Sequence, residues 1–357
     1  MIENKVDLKS LSFEELNSFI LELGEPKFRA TQIFEWLYRG VVSFDDMTNI
    51  SKATRKKLYD NSYINVFQIA EKQVSRIDGT VKYLFKLLDG ECIETVVMTY
   101  EHGTTVCIST EVGCRMNCSF CASCLSGLTR KLKPSEMADQ IIFASKDLGK
   151  RIDNVVLMGI GEPLDNFDNV IKFLYNINHI NGLNIGMRHI SLSTCGIVPK
   201  IYELAELNLQ LTLSISLHAA DDETRSRIMP INKKYNLKEL MSACKYYFNK
   251  TGRRISFEYA IISNVNDGVE DARKLAKIIT DMPAHINIIP VNNVRERSYN
   301  RPSKERIEEF IAVLKSYGIT ATVRRRLGSD IDAACGQLRH KRSSHKEDTY
   351  ENLRNDR

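Results

Sequence analysis

Residues 113–124 read GCRMNCSFCASC, which sets Cys114, Cys118 and Cys121 in a C-x3-C-x2-C array. Thiols packed this closely are soft metal ligands far more often than core residues. Just upstream, CIETVVMTYEHGTTVCIS (92–109) alternates apolar and polar residues. Downstream, short apolar runs recur between amphipathic stretches: NVVLMGIG, RHISLSTCG, LTLSISLH, ISFEYAII, HINIIPVN and ITATVRR. Strands alternating with helices argue for repeated βα units and a parallel sheet, curved or closed, with chemistry gathered at the strands' C-terminal ends. The cysteine array falls at the mouth of one such unit. Gly161, Glu162, Ser193, Ser216, His218 and Asn292 fall at the ends of others.

Working back from the array, residues up to about 63 read helical. Ser12 with Glu15 three residues on is a capping-box pattern, and FRATQIFEWLYRG places Ile33, Trp36 and Leu37 at helical spacing. Then VFQIAEKQVS and TVKYLFKLLDG alternate between turn signals, as an antiparallel sheet does. The expected architecture is α/β: a partial (β/α) barrel with a small N-terminal helical accessory domain and a short antiparallel sheet extension. Its divisions are 1–63 (helical), 64–103 (β-rich), 104–338 (barrel core with a C-terminal cysteine loop) and 339–357 (polar tail).

A chain of 357 residues, 43% hydrophobic, can bury one large core and carry an appendage. No run approaches the roughly 18 apolar residues of a membrane span, and MIENKVDLKS has no signal-peptide core, so a cytoplasmic protein is expected. Nine cysteines, an odd number in a long chain, favour metal or redox chemistry over a disulfide framework. The net charge of +5 is too modest to announce a polyanion partner. Local clusters must do so: TRKLK (129–133), GRRIS (252–256), RERSYNR (295–301) and VRRRLG (323–328). Each alone is ordinarily a solvated face. Spread around strand ends, they suit the phosphates of a folded RNA, with Arg130, Lys131, Arg295, Arg297, Arg324, Arg325 and Arg326 as candidates.

The array itself leaves two metals open. Three thiolates on a [4Fe–4S] cluster leave one iron free for a cofactor. A structural zinc wants four closed ligands, and Cys124 could complete them. The second case would make a noncatalytic, zinc-stabilised RNA-binding protein.

With Phe120 before its last cysteine, the array resembles the signature of radical S-adenosylmethionine (SAM) enzymes. The blocks FRATQIFEWLYRG, VCISTEVGCRMNCSFCAS, LMGIGEPLDN, SLSTCGIVP, SLHAADDETRSRIMPIN, EYAIISNVND, NIIPVN and DIDAACGQLR resemble the RlmN/Cfr family of rRNA and tRNA adenine methyltransferases over nearly the whole chain. That resemblance implies a [4Fe–4S] cluster on Cys114, Cys118 and Cys121, and SAM held by Gly161, Glu162, Ser193, Ser216, Leu217, His218 and Asn292. It further implies that Cys335 takes a methyl group from one SAM. A radical made from a second SAM then activates that methyl to attack an adenine ring carbon. Cys107 would resolve the product by forming a disulfide with Cys335, and Glu94 is the candidate proton acceptor. The implied partners are 23S rRNA, tRNA and an external electron donor such as flavodoxin, with the enzyme a monomer. The blocks favour methylation at C2 over C8, the antibiotic-resistance alternative on the same rRNA adenosine. The departures are Cys124 and Cys195, where the pattern leads one to expect Ser or Thr, and Cys92 and Cys244, which have no assigned role. Cys124 reads as a bystander thiol.

Overall fold

The computed structural model describes residues 4–101, 103–291 and 299–331. It begins with strand β1 (Val6–Asp7) and helices α1 (Phe13–Glu22), α2 (Phe28–Tyr38) and α3 (Lys52–Asn61), closed by β2 (Ser62–Tyr63), which pairs in parallel with β1. The capping box forms as the sequence indicates: Glu15 N–H donates to Ser12 Oγ at 3.1 Å, and Ser12 N–H donates to Glu15 Oε2 at 2.7 Å. Ile33 and Leu37 are buried. Trp36 sits at the rim, its indole N–H on Asn49 Oδ1 at 2.6 Å.

Four antiparallel strands follow: β3 (Gln68–Val74), β4 (Val81–Lys86), β5 (Cys92–Tyr100) and β6 (Gly103–Cys107). A hairpin of β7 (Glu111–Gly113) and β8 (Leu128–Lys131), then helix α4 (Pro134–Leu148), leads to β9 (Asn154–Leu157), parallel to β6. The βα alternation then runs through α5 (Phe167–Asn178), β10 (Ile190–Thr194), α6 (Val198–Glu206), β11 (Thr212–Ser216), α7 (Asp222–Ile228) and α8 (Leu237–Thr251). It ends with β12 (Ile255–Ile261), α9 (Val269–Ile279), β13 (Ala284–Pro290), α10 (Lys304–Ser316) and β14 (Thr320–Val323). Apart from the antiparallel β7–β8 hairpin, every pairing from β6 to β14 is parallel. All ten strands share one sheet, in the order β14-β13-β12-β11-β10-β9-β6-β5-β4-β3.

The sheet is therefore open, a partial barrel. The antiparallel extension is not a separate layer: β6 pairs antiparallel with β5 on one edge and parallel with β9 on the other. A strand's two edges bond independently, so one strand can serve both arrangements. Helix α4 is buried along most of its length because it lies between the sheet and the N-terminal module. There Lys9 forms a fully buried ion pair with Asp139, and Asn65 Nδ2 donates to the second Asp139 oxygen at 2.7 Å. Among the described residues, no helix is long and apolar enough to cross a membrane.

Candidate active site

The cysteine array hangs from the β7–β8 hairpin. Cys114 N–H donates to Gly127 O at 2.9 Å, which closes the loop, and Ser119 N–H reaches across to Ile228 O at 2.9 Å. Asn117 takes a left-handed conformation between the first two cysteines, φ 53°, which Asn tolerates better than most residues. Cys124 ends a single helical turn, Ala122–Cys124, directly after Cys121. Cys114, Cys118 and Cys124 pack in one buried cluster, with Cys121 against it. The neighbouring Cys124 sulfur, followed by burial, pushes the three thiols up, while the three thiols around Cys124 hold it down. Cys124, read from the sequence as a bystander thiol, thus faces the same cavity as the array.

These four cysteines line a cavity of about 270 Å³ at the C-terminal ends of the parallel strands. Its other walls include Gly161, Glu162, Ser193, Ser216, His218 and Arg324. Gly159 and Gly161, after β9, lie where no side chain fits. A Cβ on Gly159 would meet the Ile108 backbone at 2.5 Å, and one on Gly161 would meet Glu111 Cβ at 2.7 Å. Glu162 is turned toward the next strand, accepting from Cys195 N–H at 2.7 Å and Leu164 N–H at 3.0 Å. Burial raises its carboxyl above the ordinary range, against the pull of those donors. Ser193 and Ser216, one strand apart, stand with their hydroxyls 3.4 Å from each other.

His218 is the most constrained of the group. Its φ is 58°, and its Nδ1 accepts from Ala260 N–H at 2.8 Å. With Nδ1 occupied as an acceptor, the neutral ring carries its proton on Nε2. Burial, then the positive charge of Arg225, lowers the imidazole to about 3. Its ring meets Phe120 of the cysteine loop edge to face, with centroids 4.9 Å apart. Leu217 is buried outside the cavity lining, its N–H on Glu258 O at 3.0 Å.

Three contributors were missed in the sequence. Glu258 lines the cavity from β12, held by Asn287 at 2.7 Å and Ser256 at 3.2 Å. A charge inside the apolar run ISFEYAII was the signal that could have found it. Arg225 is fully buried and donates to the carbonyls of Cys195 at 2.7 Å, Leu217 at 3.1 Å and Ser216 at 3.3 Å. It straps together the ends of β10 and β11. Nothing in ADDETRSRIMP distinguishes it from an exposed arginine. Glu111 accepts from Glu162 N–H at 2.9 Å, with Asp165 close by. Its Oε1 and Asp165 Oδ2 are both buried without a hydrogen-bond partner among the described residues.

Of the remaining candidates, Cys107 ends β6, and Glu94, in β5, is buried in an ion pair with Lys82 at 2.8 Å. Cys335, Asn292, Arg295 and Arg297 lie outside the described residues. Arg130 is engaged by Asp89 at 2.6 Å and by Glu136 through two bonds of 2.8 Å, so its charge is balanced within the fold. Lys131 bonds the Asp165 carbonyl. Arg324 reaches Met158 Sδ at 3.4 Å at the cavity wall, and Arg325 and Arg326 are exposed beside it.

The family model for the ribosomal RNA large subunit methyltransferase N-terminal domain matches residues 6–64, and that of the radical SAM superfamily matches 108–279. A probable dual-specificity RNA methyltransferase RlmN from Alkaliphilus oremlandii is 55% identical over 94% of this chain and 98% of its own length. One from Clostridium novyi is 53% identical over 93% and 97%. The chain belongs to the RlmN family. A radical SAM methyltransferase from Sphaerobacter thermophilus shares the fold with a TM-score of 0.88 at 41% identity, covering 93% of this chain and 98% of that one. The chain is therefore an RNA methyltransferase of the radical SAM superfamily, with a [4Fe–4S] cluster and SAM as cofactors. This overturns the noncatalytic zinc-protein alternative.

The donor set fits that cluster. Its thiols are gathered at one end of a cavity whose opposite walls carry glycine backbone and hydroxyl groups. As they stand, no three described His, Cys, Asp or Glu side chains form a ready metal cage.

Proposed function

We propose that this enzyme methylates C2 of an adenosine in 23S rRNA and of the tRNA adenosine beside the anticodon, through a methyl group carried on Cys335, with two SAM consumed per product. The observation that carries this reading is the full-length similarity to relatives named as dual-specificity RNA methyltransferases. The bound cluster and SAM would supply the electron, the methyl group and the adenosyl radical. The chain's own residues do the rest.

Cys114, Cys118 and Cys121 hold the cluster, and the Gly161–Glu162 turn receives the amino end of SAM. Ser193, Ser216, Leu217 and His218 position its remainder, with His218 offering Nε2–H as a donor. Asn292 is assigned on the family pattern alone. Cys335 carries the methyl group as a thioether, and Cys107 attacks that sulfur to release the product, leaving a disulfide that a reductant must reopen. Glu94 takes the ring proton. Arg324, Arg325 and Arg326 meet RNA phosphates at the cavity mouth, where the target adenine must arrive unstacked. The enzyme works in the cytoplasm as a monomer, fed by an external electron donor such as flavodoxin. Its working divisions are 1–63, 64–103, 104–338 and 339–357.

The test supplies methyl-labelled SAM, reductant and an rRNA fragment to the anaerobically reconstituted enzyme, followed by nucleoside mass spectrometry. Labelled 2-methyladenosine is expected with wild type and none with Cys335→Ala. Label in 8-methyladenosine would move the chain to the C8 branch, and label from Cys335→Ala would sink the cysteine relay.

A further inference from the structure

The reaction as proposed uses Cys114, Cys118 and Cys121 but leaves Cys124 idle, although the fold does not. Cys124 is buried, lines the same cavity and packs in one cluster with Cys114, Cys118 and Cys121. Its helical turn is fixed at both ends, Leu125 N–H on Ala122 O and Gly127 N–H on Cys124 O, each at 3.2 Å. The C-x2-C step from Cys118 to Cys121 is repeated from Cys121 to Cys124, so the loop delivers a fourth sulfur at the spacing of its third. A cluster held by three thiolates leaves one iron open to whatever ligand stands nearest. A tethered thiolate is a far better match for iron than water, and its local concentration is high.

We propose that Cys124 is a reserve ligand which closes the open iron of the cluster while SAM is absent and yields it when SAM binds. In the exchange, the amino nitrogen and carboxylate oxygen of SAM bond to the iron, and the bond from iron to the Cys124 sulfur breaks. The SAM ammonium gives up a proton as its nitrogen bonds to iron, the released thiolate takes up one proton, and no electron moves. Cys124 thereby protects the resting cluster and competes with SAM.

This inference rests on the assignment of Cys114, Cys118 and Cys121 as cluster ligands. It is tested on the full chain, reconstituted without oxygen using isotopically enriched iron. Mössbauer spectra of wild type without SAM should show four sulfur-ligated irons, and adding SAM should convert one to a nitrogen–oxygen site. A nitrogen–oxygen site already present before SAM is added would overturn the proposal, and that measurement needs no variant. Ferricyanide should strip the fourth iron from Cys124→Ser and Cys124→Ala several-fold faster than from wild type, read as the three-iron EPR signal. Saturating SAM should erase the difference, and SAM should bind the variants more tightly. Equal rates of iron loss without SAM in wild type and both variants would also overturn it. Cys118→Ser separates the two levels of the argument. If that protein keeps its full iron complement, the ligand assignment itself fails; if it loses iron while wild type shows the early nitrogen–oxygen site, only the Cys124 proposal fails.

Discussion

His218 and Glu111 show how single residues are tuned by what surrounds them. The His218 imidazole is lowered to about 3 by burial and by Arg225, and its Nδ1 is occupied by a backbone N–H. Nitrogen NMR should find it neutral with its proton on Nε2 from pH 5 to pH 8, and a titration midpoint in that range would contradict the assigned tautomer. The unfolded chain takes up this proton near pH 6.5, whereas the fold resists until about 3. This histidine therefore costs stability as pH falls below 6.5. Glu111 has the opposite sign. Burial, with Asp165 and Glu162 close by, raises its carboxyl to about 8, above the 4.5 of an open chain. The neighbouring charges are Glu162 and Asp165 after β9, Arg115 and Cys114 in the cysteine loop, and Lys131 on β8. Between pH 4.5 and 8 the fold holds a proton that the unfolded chain has lost, so stability falls as pH rises across that window. Glu111→Gln removes the titration and keeps a donor for Asp165. Its melting temperature should gain on wild type steadily from pH 5 to pH 8, and a pH-independent gap between the two would refute the raised Glu111 carboxyl.

At the scale of elements, a buried cation aligns two strand ends. Arg225, from α7, bonds the carbonyls that terminate β10 and β11, and Asn232 Oδ1 accepts a further bond from it at 2.9 Å. Replacing it with Met leaves those carbonyls buried without donors, at a cost of about 3 kcal/mol or more. Arg225→Met should therefore melt well below wild type, and it should bind SAM more weakly because Ser193, Ser216 and His218 stand on the ends it joins. Unchanged SAM affinity would limit Arg225 to a purely structural role. The elements themselves were legible in the sequence. Alternation marked the strands, apolar periodicity the helices, and Ser12 with Glu15 the start of α1. Arg225 was not, because whether an arginine in a charged run faces solvent or core depends on what packs over it.

For the whole molecule, the question is how the N-terminal module stays on the barrel. Lys9 and Asp139 are both fully buried in the seam, with Asn65 completing the set. Breaking a buried pair from one side costs about 3 to 5 kcal/mol. Lys9→Met should show this as a lower unfolding midpoint, whereas Lys9→Met combined with Asp139→Leu should recover part of the loss. If the double variant is no better than the single one, the seam depends on packing rather than on charge. RNA binding is also a property of the whole surface. Replacing Arg324, Arg325 and Arg326 together should weaken rRNA-fragment binding and flatten its dependence on salt. An unchanged salt slope would remove that patch from the interface.

By itself the sequence determined the α/β class, the helical start, the C-x3-C-x2-C array and the family, because these depend on residue type, spacing and order along the chain. It could not decide that the antiparallel strands and the barrel share one sheet, since pairing across β6 joins edges that are distant in sequence. Nor could it show that Arg130 is already neutralised by Asp89 and Glu136, or that Arg225 is buried. It placed Cys124 ten residues after Cys114 and three after Cys121. Only the fold of the loop in three dimensions packs that sulfur with the other three around one cavity, because contact there depends on backbone turns rather than on spacing.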